Sequence, residues 1–271
     1  MLELYYFPNA TCGVKARLAL HEKKVAYTRR ILDRDRGDLN TSEYRALNPG
    51  GVVPTMVHDG HVLNESTIIM NYTDDAFDGP SLQPDDPLAR AGMAMWLRLV
   101  DDIYFPALAA LTYATSLRAR IRAKYRTAEA IEMYLSHMAS AEERDRRRKV
   151  LDSGPESKEA RDAIIALDGM LARMDRALAG SEFLCGERYT LADAALTPFL
   201  SRLDLLDMSE AWTARHANVT GWWALIKSRP SFIDEVLGDI TNEYRAFVLT
   251  EGRKAWPVLR ESIDRGLDGL G

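Results

Sequence analysis

"NPGGVVPTMVHDGHVLNES", residues 48–66, is the stretch whose reading decides the fold. Asn48-Pro49-Gly50-Gly51 is turn chemistry. The apolar residues after Pro54 read as two short strands. Asp59-Gly60 between them is the kind of pair that tolerates positive φ in a two-residue hairpin. Pro54 stands at the mouth of the first strand, where a residue without an N–H has a positional reason to be. Glu65-Ser66 stands where the second strand gives way to a helix. An acid and a hydroxyl there read as an anion or amine site at a helix N-terminus. The plainer alternative is an ordinary pair, Glu65 favouring the helix dipole and Ser66 capping.

Upstream, "LELYYF" (2–7) is aromatic and β-favouring. "CGVKARLALHEKK" (12–24) places Val14, Ala16, Leu18 and Ala19 on a helical face. "VAYTRRIL" (25–32) is a second strand, "TSEYRAL" (41–47) a short helix and "ESTIIMNYTDDAF" (65–77) a third helix. The order β-α-β-α-β-β-α is a small α/β domain over residues 1–77. "DGPSLQPDDP" then reads as a linker, taken as residues 78–88. Asp86-Pro87 reads as an N-cap followed by proline at N1.

From 89 to 271 the pattern is helical. Met93, Trp96, Leu97, Val100 and Tyr104 fall at helical spacing. The Arg-, Lys- and Glu-rich stretch 116–160 reads as an extended, solvated helix pair. Residues 159–180 form another amphipathic helix, ending at Gly180. In "YTLADAALTPFLSRLDLL" (189–206), Thr190 and Asp193 make a capping-box arrangement with Asp in place of Glu.

The 271 residues are 46% hydrophobic and 28% charged, enough for a packed core. A net charge of −5 argues against a nucleic-acid partner. Two cysteines, Cys12 and Cys185, are too few for a disulfide framework and suit a reducing compartment. No signal peptide or apolar run of membrane length stands out, so a cytoplasmic protein with no membrane partner is expected. No metal-ligand set is expected either.

The "NPGGVVPTM" turn, the "NES" pair and the "TLAD" box, in this order and spacing, resemble the cytosolic glutathione transferases over roughly residues 1–245. The resemblance implies a thioredoxin-like domain, an all-helical domain from residue 89 on, and glutathione as co-substrate. It implies a cis Val53-Pro54 bond, with the Val53 backbone facing an extended peptide as an added strand would. It also implies that Ser66 and the helix N-terminus hold the γ-glutamyl carboxylate while Glu65 accepts from the ammonium. A homodimer is implied as well. The tail from Glu251 on has no clear counterpart in the family.

The family activates the glutathione thiol in the turn between the first strand and first helix, here "FPNATCGVKARLAL". Ala10 stands where the serine-type members keep serine, a departure that leaves Thr11, Cys12 and Asn9 as candidates. Cys12, at a helix N-terminus with Lys15 one turn on, has two features that lower a thiol pKa. The spacing resembles the cysteine–lysine turn of glutathione-dependent reductive dehalogenases. A small buried residue at a helix start remains the alternative. Cys185 reads as core. Val52 is a second departure, since members often place a polar residue there for the glycyl carboxylate. Arg34, Arg36 and Asn40 are candidates to replace it.

Residues 58–69, the continuation into 81–102 and the basic insert resemble the bacterial β-etherases. That likeness implies glutathione attack on β-aryl ethers of lignin-derived dimers, a small aromatic electrophile as partner, and a phenolate leaving group. The substrate wall would then include Tyr6, Pro8, Trp96, Val100, Tyr104 and Tyr113, residues whose spacing fits core packing equally. A dehalogenase-type reductase using Cys12 and a non-catalytic glutathione-binding scaffold are the competing readings.

Overall fold

The structure is a computed structural model and describes residues 1–34, 36–138 and 140–268. The chain divides into two compact units. One comprises Met1–Arg98, Ala177–Ser201 and Thr220–Thr241. The other comprises Leu99–Arg176, Arg202–Val219 and the chain from Asn242 onward. Among the described residues no helix is long and apolar enough to cross a membrane.

The first unit holds a four-stranded sheet in the order β2-β1-β3-β4, from β1 (Leu2–Tyr6), β2 (Thr28–Ile31), β3 (Thr55–His58) and β4 (His61–Asn64). β1 pairs parallel with β2 and antiparallel with β3, Leu4 facing Met56. Leu2, Leu4 and Tyr6 alternate onto one face of the sheet. There they pack with Ala16, Leu20, Met56 and Ile69 under α1 (Thr11–Glu22) and α3 (Ser66–Ala76). The short α2 (Ser42–Leu47) is capped by Thr41, whose hydroxyl accepts from the Tyr44 N–H. The hairpin turns at Asp59 (φ +49°) and Gly60 (φ +83°), as that pair predicts. β2 is shorter than the expected 25–32. Val25 closes the end of α1 by donating to Leu20 O, and what remains is an exposed edge strand carrying Arg29 and Arg30.

Asp86 caps α4 (Pro87–Leu99), accepting from the Ala89 N–H at 2.7 Å. The helical run continues, but not as uniform α-helix. A π turn spans Val100–Tyr104, α5 follows at Phe105–Thr112, and a second π turn spans Tyr113–Leu117. Pro106 lacks the N–H that residue 102 would receive, which accounts for the first interruption.

The expectation of a solvated helix pair over 116–160 needs correction. Among the described residues three α-helices lie wholly within it, α6 (Arg118–Lys124), α7 (Ala128–Ser136) and α8 (Ala141–Ser153), and a fourth begins at Lys158. Thr127 and Ser140 start the last two as N-caps, accepting from Ala130 N–H and Glu143 N–H. The stretch also carries its own core, with Ile121, Leu135, Val150 and Leu151 buried. Arg118 and Arg122 both donate to Leu151 O, so part of the charge terminates α8.

After α8 come α9 (Lys158–Ala177), α10 (Leu191–Leu205), α11 (Glu210–Thr213), α12 (Ala217–Ser228), α13 (Pro230–Phe232), a π turn at Ile233–Leu237 and α14 (Asn242–Asp268). The Thr190–Asp193 box forms, but only half in the expected way. Asp193 accepts from the Thr190 N–H, while the Thr190 hydroxyl donates to the same carboxylate. α14 takes in most of the tail that lacks a sequence counterpart. Gly252 lets it lie against Leu206, where a Cβ would stand 1.9 Å from the carbonyl oxygen.

Candidate functional site

The turn leaving β1 is short. Ala10 N–H donates to Phe7 O at 3.2 Å, and Ala10 is the N-cap of α1 with no side-chain cap. Thr11, Cys12 and Gly13 are therefore the first three helical residues, and their amides lie outside the helix's own ladder. No acid occupies this first turn, so the positive helix end is not offset there. Gly13 has a steric reason: a Cβ would come 3.2 Å from Tyr6 Cβ and 3.5 Å from Phe7 O. Thr11, Cys12, Pro8 and Asn9 are half-buried. Neither cysteine is in a disulfide.

Lys15 joins this turn to the second candidate region. Its side chain is 1% exposed, and Nζ donates to Thr67 Oγ1 at 2.9 Å. Thr67 follows Ser66, so the starts of α1 and α3 are held side by side. Glu65 is the N-cap residue of α3, without a side-chain cap bond and with φ +67°. A non-glycine residue in that region is backbone strain of the kind that collects at ligand sites. Ser66 is buried at the first helical position, one place beyond the cap.

The Val53–Pro54 bond is cis, as the resemblance implies. The turn before it hangs on Thr55. Tyr44 OH donates to Val52 O at 2.6 Å, and Asn48 Nδ2 donates to Val52 O and Thr55 Oγ1. Thr55 Oγ1 in turn donates to Asn64 Oδ1 at 2.9 Å. Sequence reasoning missed Tyr44, Asn48, Thr55 and Asn64. The signal available was their polar character at positions flanking the strand mouth.

Of the candidates to replace a polar group at Val52, Arg34 lies with its guanidinium 4.8 Å from the Phe7 ring, beside the β1–α1 turn. Arg36 faces Asp38 at 4.0 Å, and Asn40 accepts from Arg45 at 3.0 Å. Val52 itself is 56% exposed. Tyr6 and Trp96 are buried in the first unit. Val100, Tyr104 and Tyr113 are buried in the second, with Arg147 stacked 4.5 Å from the Tyr113 ring. Burial pushes the Cys185 thiol up to about 11 and burial likewise raises Tyr6. Among the described residues no group of three His, Cys, Asp or Glu side chains can hold a metal ion.

Two family models match the chain: the glutathione S-transferase N-terminal domain over residues 11–76 and the C-terminal domain over residues 141–224. Together they span more than half of it, and the chain belongs to the glutathione S-transferase superfamily, whose co-substrate is glutathione. Among curated relatives, Protein LigF of a Sphingobium strain is 29% identical over 71% of this chain and 75% of that protein. The tetrachloro-p-hydroquinone reductive dehalogenase of Sphingobium chlorophenolicum is 27% identical over 85% of this chain and 94% of that protein. The solved structure of the β-etherase LigF from Sphingobium superposes with a TM-score of 0.74. It is 22% identical and covers 88% of this chain and 99% of that one, a likeness that establishes the fold.

Proposed function

We propose that this member of the family uses the glutathione thiolate to attack a small aromatic electrophile, with β-aryl ethers of lignin-derived compounds as the substrate class. The observation that carries the reading is the Lys15–Thr67 bond. It sets the α1 start, with Thr11 and Cys12, beside the α3 start, with Glu65 and Ser66. One peptide can then lie with its thiol at the first and its γ-glutamyl end at the second. Ser66 and the α3 amides hold the α-carboxylate, Glu65 accepts from the ammonium, and the Val53 backbone pairs with the peptide. Asn40 or Arg34 is the proposed contact for the glycyl end.

The thiolate is favoured by the α1 end, with Asn9, Thr11 or Cys12 as the assisting group. Its sulfur bonds to the carbon bearing the ether oxygen, the C–O bond breaks, and a phenolate leaves with the electron pair. Little acid catalysis is required, so positioning carries the rate. In this reading Pro8, half-buried, meets the substrate directly. The proposed wall residues Tyr6, Trp96, Val100, Tyr104 and Tyr113 are buried. The working parts are residues 1–77 for glutathione and 89–271 for substrate.

The dehalogenase relative supports a second reading, in which Cys12 attacks the sulfur of a glutathionyl conjugate. The aryl C–S bond breaks, the aryl carbon takes up a proton to give the reduced product, and Cys12 is left in a mixed disulfide with glutathione. Incubation of wild type and Cys12→Ser with glutathione, a panel of aryl-ether dimers and halogenated phenols, with products read by mass, separates the two. An ether-cleaving enzyme forms a stable thioether and loses up to about tenfold in rate, about 1.4 kcal/mol of barrier. Thr11→Val is the costlier change in that case. Cys12→Ser accumulating a conjugate without releasing reduced product gives the reading to the reductase.

A further inference from the structure

Arg17 lies on α1, five residues past Cys12, and is 0% exposed. A buried guanidinium is costly unless its charge is paired and most of its N–H groups are bonded; here Nη1 and Nη2 have partners, and Nε has none among the described residues. Arg17 Nη1 pairs with the carboxylates of Asp239 and, at 3.5 Å, Glu235. The guanidinium sits 4.5 Å from the Tyr6 ring. Glu235 belongs to the π turn Ile233–Leu237, is 4% exposed and also accepts from Arg29 at 2.8 Å and Tyr27 OH at 3.3 Å. Two arginines thus face two carboxylates, and the cluster is balanced within itself.

One bond leaves that cluster. Arg17 Nη2 donates to Pro8 O at 2.6 Å. Pro8 is in the turn between β1 and α1, two residues before the uncapped Ala10 and three before Thr11. Within the turn, Ala10 N–H donates to Phe7 O at a loose 3.2 Å. A charge-assisted bond to a carbonyl is shorter and stronger than this.

Resting on the proposed role of this turn in thiol activation, we propose that Arg17 is a positioning residue for the reaction. It holds the Pro8 carbonyl and so aims Asn9, Thr11, Cys12 and the α1 amides at the glutathione sulfur. Glu235 and Asp239, more than two hundred residues along the chain, hold Arg17 in place. The direction of the effect is set by geometry. Lysine keeps the charge, but one ammonium on a flexible stem does not reproduce the fork that serves a carbonyl and two carboxylates at once.

The test compares wild type with Arg17→Lys, Arg17→Met and the pair Glu235→Gln, Asp239→Asn. Turnover is read against KM for glutathione and against pH. Arg17→Lys should lower kcat on the order of ten- to a hundredfold, the scale of a small misplacement of reacting groups. KM for glutathione should stay nearly constant, because Ser66 and the α3 start are untouched. The pH limb reporting ionisation of the bound thiol should move upward. The Glu235→Gln, Asp239→Asn pair should do the same in lesser degree, and it decides the matter if Arg17→Met does not fold. Variants that melt earlier but keep kcat and the pH limb of wild type overturn the proposal. A wild type with no glutathione turnover defeats the functional reading instead. Amide hydrogen exchange at Ala10, Thr11 and Cys12 then decides this inference alone: faster exchange in Arg17→Lys supports it, unchanged exchange overturns it.

Discussion

Replacing Asp193 by alanine should destabilise the protein far more than loss of a helix cap does. The carboxylate is 0% exposed and accepts from four donors. They are Thr190 N–H at 2.9 Å, the Thr190 hydroxyl at 2.9 Å, Leu184 N–H at 3.0 Å and Trp222 Nε1–H at 2.9 Å. Burial pushes the carboxyl up from its ordinary value, and these donors pull it back. A lone cap is worth about 0.5–2 kcal/mol. Each buried donor left without a partner costs roughly 1–3 kcal/mol. Three N–H donors lose theirs here, and partial relaxation brings the total to about 3–5 kcal/mol. At about 2–4 °C per kcal/mol for a chain of this size, the melting temperature should fall by roughly 6–20 °C. Calorimetry of Asp193→Ala beside Trp222→Phe is the measurement. Trp222→Phe removes one donor and leaves the carboxylate three, so it should cost about 1 kcal/mol. Glutathione affinity should be nearly unchanged in both. An Asp193→Ala loss no larger than that of Trp222→Phe refutes the reasoning, because the other donors would then not depend on this carboxylate.

Three further outcomes are expected. Ser66→Ala and Glu65→Ala should each weaken glutathione by roughly 1.5–3 kcal/mol in calorimetric titration, the value of a hydrogen bond to a charged group; unchanged affinity in both removes the site assignment. Cys185, its thiol pushed up to about 11 by burial and then by the Asp193 charge, should alkylate slowly near neutrality. Its rate should rise about tenfold per pH unit towards that value, because the thiolate is the reactive form. The raised value means that the folded state favours the protonated thiol. This contribution to stability is therefore complete below the ordinary thiol range and lost as pH rises through about 11. Alkylation already flat with pH above neutrality would contradict the burial argument. Finally, light scattering at micromolar concentration should give the mass of a homodimer, and a monomeric mass would remove that expectation.

Local chemistry was legible in the sequence where a few neighbouring residues settle a conformation. Asp59-Gly60 names its own turn, and Asp86-Pro87 starts a helix. The motifs at Pro54 and Glu65-Ser66 marked one end of the candidate site in the same way. The charge-rich insert misled because composition reports average polarity. It does not show which few apolar residues, Leu135 and Leu151 among them, are buried once Thr127 and Ser140 restart the helix.

What the sequence by itself determined is the order of elements over residues 1–77, the turn before Pro54 and the two helix starts that flank the candidate site. What only the tertiary structure decided is which polar side chains are buried and with whom. Nothing in the spacing of α1 tells where Lys15 and Arg17 end, yet one reaches Thr67 and the other reaches Pro8, Glu235 and Asp239. Asp193 reads as a cap, yet it also serves Trp222. The physical reason is the same in each case. Helical and strand periods depend on neighbours a few residues apart and repeat along the chain. A buried charge is stabilised by partners that no local spacing specifies, because they are brought within bonding distance only when distant segments pack.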